Sequence, residues 1–260
     1  MKKTLIALFL SAALFACKDQ KIEKIIHPRD LKPNESFNEF PKVKGDAFAF
    51  VKVDSGKKLG DVYAIKFKDT VISVQNDPKP LADKFFVSRF LNTQKTALLA
   101  QVADSSDLVS PFYIISLKNG QIDAIKLERA SIGKDDKKVT AGLQEISLSI
   151  VLVNNDFVVT LINGNVYPLK RQNDSERIQG RFLLNSADKN TLIFATANSL
   201  YQVNYKTGET YDLIVAPGKL NAATFTKDIM QNYRWEKTPK GTSFLKEYDS
   251  NKILELSDFK

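Results

Sequence analysis

Within Arg181 to Val215 the chain reads Phe182-Leu183-Leu184, then Thr191-Leu192-Ile193-Phe194-Ala195-Thr196-Ala197, then Ser199-Leu200-Tyr201-Gln202-Val203-Asn204-Tyr205, then Glu209-Thr210-Tyr211-Asp212-Leu213-Ile214-Val215. Each run is short, rich in β-branched and aromatic residues, and bounded by Asn, Asp, Lys or Gly, the pattern of consecutive antiparallel strands joined by tight turns. The third run enters a turn at Lys206-Thr207-Gly208. Similar turns stand at Lys118-Asn119-Gly120, Ile162-Asn163-Gly164 and Asp249-Ser250-Asn251, with Lys68-Asp69-Thr70 as a looser first member. When the turns are aligned, the incoming strands open on Tyr63, Tyr113, Phe157, Tyr201 and Phe244, spaced by 50, 44, 44 and 43 residues. The outgoing strands place Ile125, Leu169, Leu213 and Leu256 at the same interval. Two independent rows thus keep one period.

A period near 44 residues that holds several strands and no amphipathic helix predicts an all-β fold, a β-propeller of about five four-stranded blades. Stacked blades bury both faces of each sheet, which explains why Phe112-Tyr113-Ile114-Ile115 and Ile150-Val151-Leu152-Val153 lack a polar face. A β-sandwich or an open β-array with accidental spacing is the alternative. The segment Leu200 to Glu209 resembles the blade hairpins of quinoprotein-like propellers, in which an aromatic-led strand runs into a Lys-Thr-Gly turn, and Phe112 to Leu127 is a looser match. The tryptophan that docks neighbouring blades in that family is missing from the outgoing strands, and the single tryptophan, Trp235, lies elsewhere. Quinone chemistry is therefore not carried over. Some lipid-anchored members of the superfamily serve as scaffolds in outer-membrane protein assembly, which makes such a role an expectation by resemblance.

The N-terminus indicates where the chain goes. Lys2 and Lys3 precede the apolar run Leu5 to Phe15, and Ala16 precedes Cys17, the only cysteine of 260 residues. The run is too short to span a bilayer and reads as a secretory signal. Leu14-Phe15-Ala16-Cys17 resembles a bacterial lipobox, which implies cleavage between Ala16 and Cys17 and acylation of Cys17, with Phe15 larger than the pattern's usual residue. Lys18, where an inner-membrane retention aspartate would stand, implies outer-membrane sorting. The predicted organisation is a signal over 1–16, a lipidated tether over 17–44, polar and interrupted by Pro28, Pro33 and Pro41, and a β domain over 45–260.

With 43% hydrophobic and 26% charged residues the body is an ordinary globular one, and a single cysteine excludes a disulfide scaffold. Catalysis through histidine lacks a base, because the only histidine, His27, sits beside Pro28 in the expected tether. A zinc site from His and Cys is excluded once Cys17 is acylated, and no phosphate-binding or EF-hand motif occurs, so neither metal nor cofactor is expected. Carboxylates remain, with Asp135-Asp136 and Asp104 with Asp107 as acid pairs, and they leave open a glycan-acting hydrolase of the envelope. The weight falls on a non-enzymatic binding or scaffold module. The net charge of +8 drops to about +6 when Lys2 and Lys3 leave with the signal. An exported chain does not point to nucleic acid, and the expected partners are the membrane, through the anchor, and an acidic envelope protein or glycan. The links between repeats, 76–84, 128–144 and 170–181, carry part of the positive excess, and Lys170, Arg171 and Arg177 are expected there as exposed partner-facing charges.

Overall fold

The computed structural model describes residues 23–37, 47–53, 61–75, 82–103, 108–215 and 225–248. About half of them lie in strands and few in helices; the helices are α1, Asp136–Val139, and α2, Phe225–Asn232. The all-β expectation therefore holds. The partition into sheets is less uniform than the repeat suggested.

The first half forms one nine-stranded sheet. Its strands are β1 (Glu23–Ile26), β2 (Arg29–Asp30), β3 (Phe48–Val53), β4 (Val62–Phe67), β5 (Thr70–Val74), β6 (Phe85–Phe90), β7 (Ala97–Val102), β8 (Phe112–Lys118) and β9 (Gln121–Leu127). They pair in the order β1-β5-β4-β6-β7-β8-β9-β2, with β3 added on β4. β4 and β6 pair only through Tyr63 and Phe85, a corner at which the sheet curls over its own inner face. That face holds Phe48, Ile65, Ile72, Phe85, Leu98, Tyr113 and Ile115, all buried.

Residues 23–37 correct the expected tether. β1 lies parallel to β5 and β2 parallel to β9, so one strap, turning at His27-Pro28, joins the two edges of the curled sheet. Farther on, the Phe37 N–H donates to the Gly164 carbonyl at 2.9 Å, and the ring is buried in the next core layer. The strap reads as a tether because it docks by backbone hydrogen bonds to existing edges; β1 buries only Ile26, so no apolar periodicity announces it. His27 is exposed, as expected.

The second half is closer to the repeat. β10 (Leu143–Ser147), β11 (Ile150–Val153), β12 (Phe157–Thr160) and β13 (Asn165–Pro168) form one antiparallel meander, and β14 (Arg181–Asn185), β15 (Thr191–Ala195), β16 (Ser199–Asn204) and β17 (Thr210–Ile214) form another. A two-stranded sheet follows, β18 (Tyr233–Lys237) with β19 (Ser243–Glu247). Four expected turns are in place, after Phe67, Lys118, Thr160 and Asn204. Asn119 and Gly120 have φ of 50° and 77°, which a two-residue hairpin of matching twist requires. The turn expected at 249–251 lies outside the described residues.

The aromatic row holds in the middle and breaks at the ends. Phe157 packs with Phe112 and Ile114 between β8 and the β10–β13 sheet, and Tyr201 packs with Leu152 and Val158 between that sheet and the next. Tyr113 is buried inside the curled sheet. Tyr63, by contrast, is half-buried, and in the last sheet it is Leu245 that meets Ile193 and Leu200, while Phe244 packs on Tyr211.

Candidate functional site

Lys170, Arg171 and Arg177 lie on the link from β13 to β14, but they do not form an exposed basic rim. Lys170 is exposed, whereas the Arg171 and Arg177 side chains are 1% and 5% exposed. Both reach Asp156, the last residue of the Asn154-Asn155-Asp156 turn between β11 and β12, where φ is 51° and 55° at the two asparagines. Arg171 Nε donates to Asp156 Oδ1 at 2.9 Å and Arg177 Nε to Oδ2 at 2.9 Å. Arg171 Nη1 donates to the Ala130 and Asp174 carbonyls at 2.7 and 3.1 Å, and Arg177 Nη1 lies 3.4 Å from Asp136 Oδ2. Arg129 donates to the Leu169 carbonyl at 2.6 Å and stands 3.8 Å from Asp156 Oδ1. Burial, followed by the Arg171 charge, lowers its pKa. One carboxylate thus pins the β9–β10 and β13–β14 links to a β-turn. Guanidinium groups so committed are a clamp within the fold, and reversing them to glutamate would break that clamp rather than tune an association rate.

A second charge cluster holds the strap. Arg29 donates to Asp123 Oδ1 at 3.0 Å and Oδ2 at 2.6 Å and to Glu35 Oε2 at 2.9 Å; Lys118 Nζ donates to Glu35 Oε1 at 2.8 Å. The Arg29 hydrogen bond, with help from Lys118, pulls the Glu35 pKa down to about 2 against the cost of burial.

These contacts bear on the carboxylate-hydrolase alternative. A general acid needs a raised pKa, and Glu35 is displaced the other way; Asp188 is also lowered, its hydrogen bonds to Ser186 and Asn190 outweighing burial. Of the acid pairs singled out by sequence, Asp136 binds Arg177 and Gln179, Asp135 binds Lys138 at 2.7 Å, and Asp104 with Asp107 lie outside the described residues. Among the described residues no group of three His, Cys, Asp or Glu side chains could hold a metal, and no helix is long and apolar enough to cross a membrane. Ala16 and Cys17 lie outside the described residues.

The arrangement best suited to recognition is a cleft of about 460 Å³ between the β6–β7, β10–β11 and β12–β13 turns. Phe90, Leu91 and Leu161 line it, Leu148 and Ile162 stand at its mouth, 91% and 77% exposed, and Arg89, paired to Glu145 at 2.8 Å, stands on its wall. Sequence reasoning passed over it. The available signal was an apolar residue in each of two turns, Leu148 and Ile162, where polar residues are usual. No family model matches the chain, and no curated protein or solved structure is significantly similar to it.

Proposed function

We propose that this chain is a lipoprotein of the bacterial cell envelope, anchored through acylated Cys17 and sorted to the outer membrane, whose body is a blade-type β array acting as a binding or scaffold module. The anchor half rests on the Lys2-Lys3 start, the apolar run and the Leu14-Phe15-Ala16-Cys17 sequence. The observation that carries the binding half is the cleft displaying Leu148 and Ile162, because apolar side chains gathered at loop tips contribute contact area to a partner and little to the core beneath. The propeller belongs to this reading through the 44-residue period and the two four-stranded meanders that keep it. Acylation of Cys17 supplies several buried alkyl chains, enough for stable anchoring without a spanning helix.

The test is Cys17→Ser in the bacterium. The natural chain should incorporate labelled fatty acid and stay with membranes through a high-salt wash, and the variant should lose the label and remain unprocessed or become soluble. Unchanged labelling in the variant sinks the anchor. A photo-crosslinking residue at Leu148 should give a discrete envelope adduct that Ile162→Asp abolishes; an adduct pattern indifferent to Ile162→Asp removes the cleft from the reading.

A further inference from the structure

We propose that the end of the curled sheet at which the chain enters the body seats directly on anionic phospholipid headgroups, so that the body lies against the membrane in one orientation. This rests on the lipid-anchor reading of Cys17.

Residues 18–22 alone separate Cys17 from Glu23, the first residue of β1. Six Cα steps reach about 20 Å at full extension, so the end of the body at which β1 begins is held close to the anchored residue. The entry point is fixed by register. Glu23 lies opposite Val71, just beyond the Lys68-Asp69 turn. Two more turns gather at this end. The Phe48 N–H, across from Phe67, donates to the Lys95 carbonyl at 2.8 Å, and the Leu117 N–H donates to the Thr96 carbonyl at 2.9 Å, beside the Asn119-Gly120 turn.

The chemistry of that end fits a lipid surface. It carries Lys24, Lys66, Lys68, Lys95 and Lys118 against Glu23, Glu35, Asp69 and Asp123. Lys118 is bound by Glu35 and Asp123, and Lys68 and Lys95 stand exposed at the turn tips. Their ammonium groups sit 5.3 and 5.5 Å from the ring centroids of Phe67 and Phe90, both half-buried. Phe90 is 4.6 Å from Phe50, and Phe67 is 5.5 Å from Phe48. Ammonium groups carried outermost at the turn tips, ahead of half-buried rings, match a layer of anionic phosphates. The anchor keeps this surface near the headgroups at high effective concentration, so individually weak contacts suffice.

The test uses the full-length lipidated chain in vesicles. Cys17 is consumed by its thioether, so a single introduced cysteine takes an environment-sensitive dye, at Gln121→Cys beside the Asn119-Gly120 turn of the seating end and outside the cleft, or at Leu108→Cys, which β7 and β8 carry to the other end of the sheet. In equimolar phosphatidylglycerol and phosphatidylcholine, a headgroup-borne quencher should act about threefold more strongly at position 121 than at 108, and the preference should fall with salt or in phosphatidylcholine alone. Lys68→Glu with Lys95→Glu should remove the preference without releasing the protein. Retention on vesicles with equal quenching at both positions, or a preference that survives the double reversal, overturns the seating alone. Protein released by a high-salt wash overturns the anchor and the seating with it.

Discussion

Both charge clusters use guanidinium–carboxylate pairs to fasten one segment of the chain onto another, and they do it at different depths. At the strap, the Arg29 side chain is 31% exposed, Asp123 23% and Glu35 10%, so the cluster is partly open to solvent. At the clamp, Asp156 and Arg171 are each 1% exposed. An exposed pair gains little because its members were well solvated apart, whereas a buried pair is costly to break because removing one partner strands the other in a medium that cannot solvate it. The strap is therefore a fastening that pH and salt can loosen, and the clamp is a condition of folding.

The sharpest way to break this contrast is Asp156→Ala, which leaves Arg171 buried without its carboxylate and Arg177 with only Asp136 at 3.4 Å, and should cost about 3–5 kcal/mol in urea or thermal unfolding. A loss no larger than that of an exposed substitution would erase the distinction. Gly180→Ala tests the backbone beside the clamp. An added Cβ would lie 2.7 Å from the Ala195 carbonyl oxygen, and the Gly180 carbonyl accepts from Asn155 at 2.9 Å, so about 1–3 kcal/mol should be lost.

At the strap, Glu35→Gln should cost about 1 kcal/mol at neutral pH. Because the folded pKa is depressed to about 2 from an ordinary 4.5, the carboxylate's contribution is complete above pH 4.5 and is lost as the pH falls toward 2. Stability curves of the natural and Glu35→Gln proteins should consequently converge across that window; parallel curves would show that Glu35 is not held as described. The smallest effect belongs to Lys170→Glu, next in sequence to Arg171. As an exposed link charge it should move stability by less than about 0.5 kcal/mol, while Arg171→Glu should be severe. Equal effects at the two neighbours would overturn the burial argument.

The contrast also separates what was legible in the sequence from what was not. Turns such as Asn119-Gly120 and Thr207-Gly208 are local chemistry, and the strands they join alternate as their pairing requires, so the all-β body and most hairpin positions could be read. The strap could not, because β1 and β2 borrow the edges of β5 and β9 through backbone groups that every residue possesses. The corner between β4 and β6, which merges two repeats into one sheet, turns on a single pair of residues and leaves no periodic trace. Arg171 and Arg177 were assigned to the surface because links are usually solvated; their burial depends on Asp156, 15 and 21 residues away, and no local pattern encodes that convergence. The cleft was missed for the converse reason, since Ile162 was read only as part of a hairpin turn and Leu148 was given no role, while both lie on an outer surface.

The parallel docking of β1 has a mechanical meaning. A pull on the chain at Glu23, directed along the strand, loads the backbone hydrogen bonds of all four residue pairs from Glu23–Val71 to Ile26–Val74 together. A hairpin pulled from its open end yields one bond after another. The attachment resists in shear, and the Arg29 cluster lies directly behind it as a second stop. Tension from an anchor at Cys17 would thus be borne by the curled sheet through a strand built into its edge, and the first event under excessive load would be removal of the strap and exposure of the β5 and β9 edges, not unravelling of the meanders.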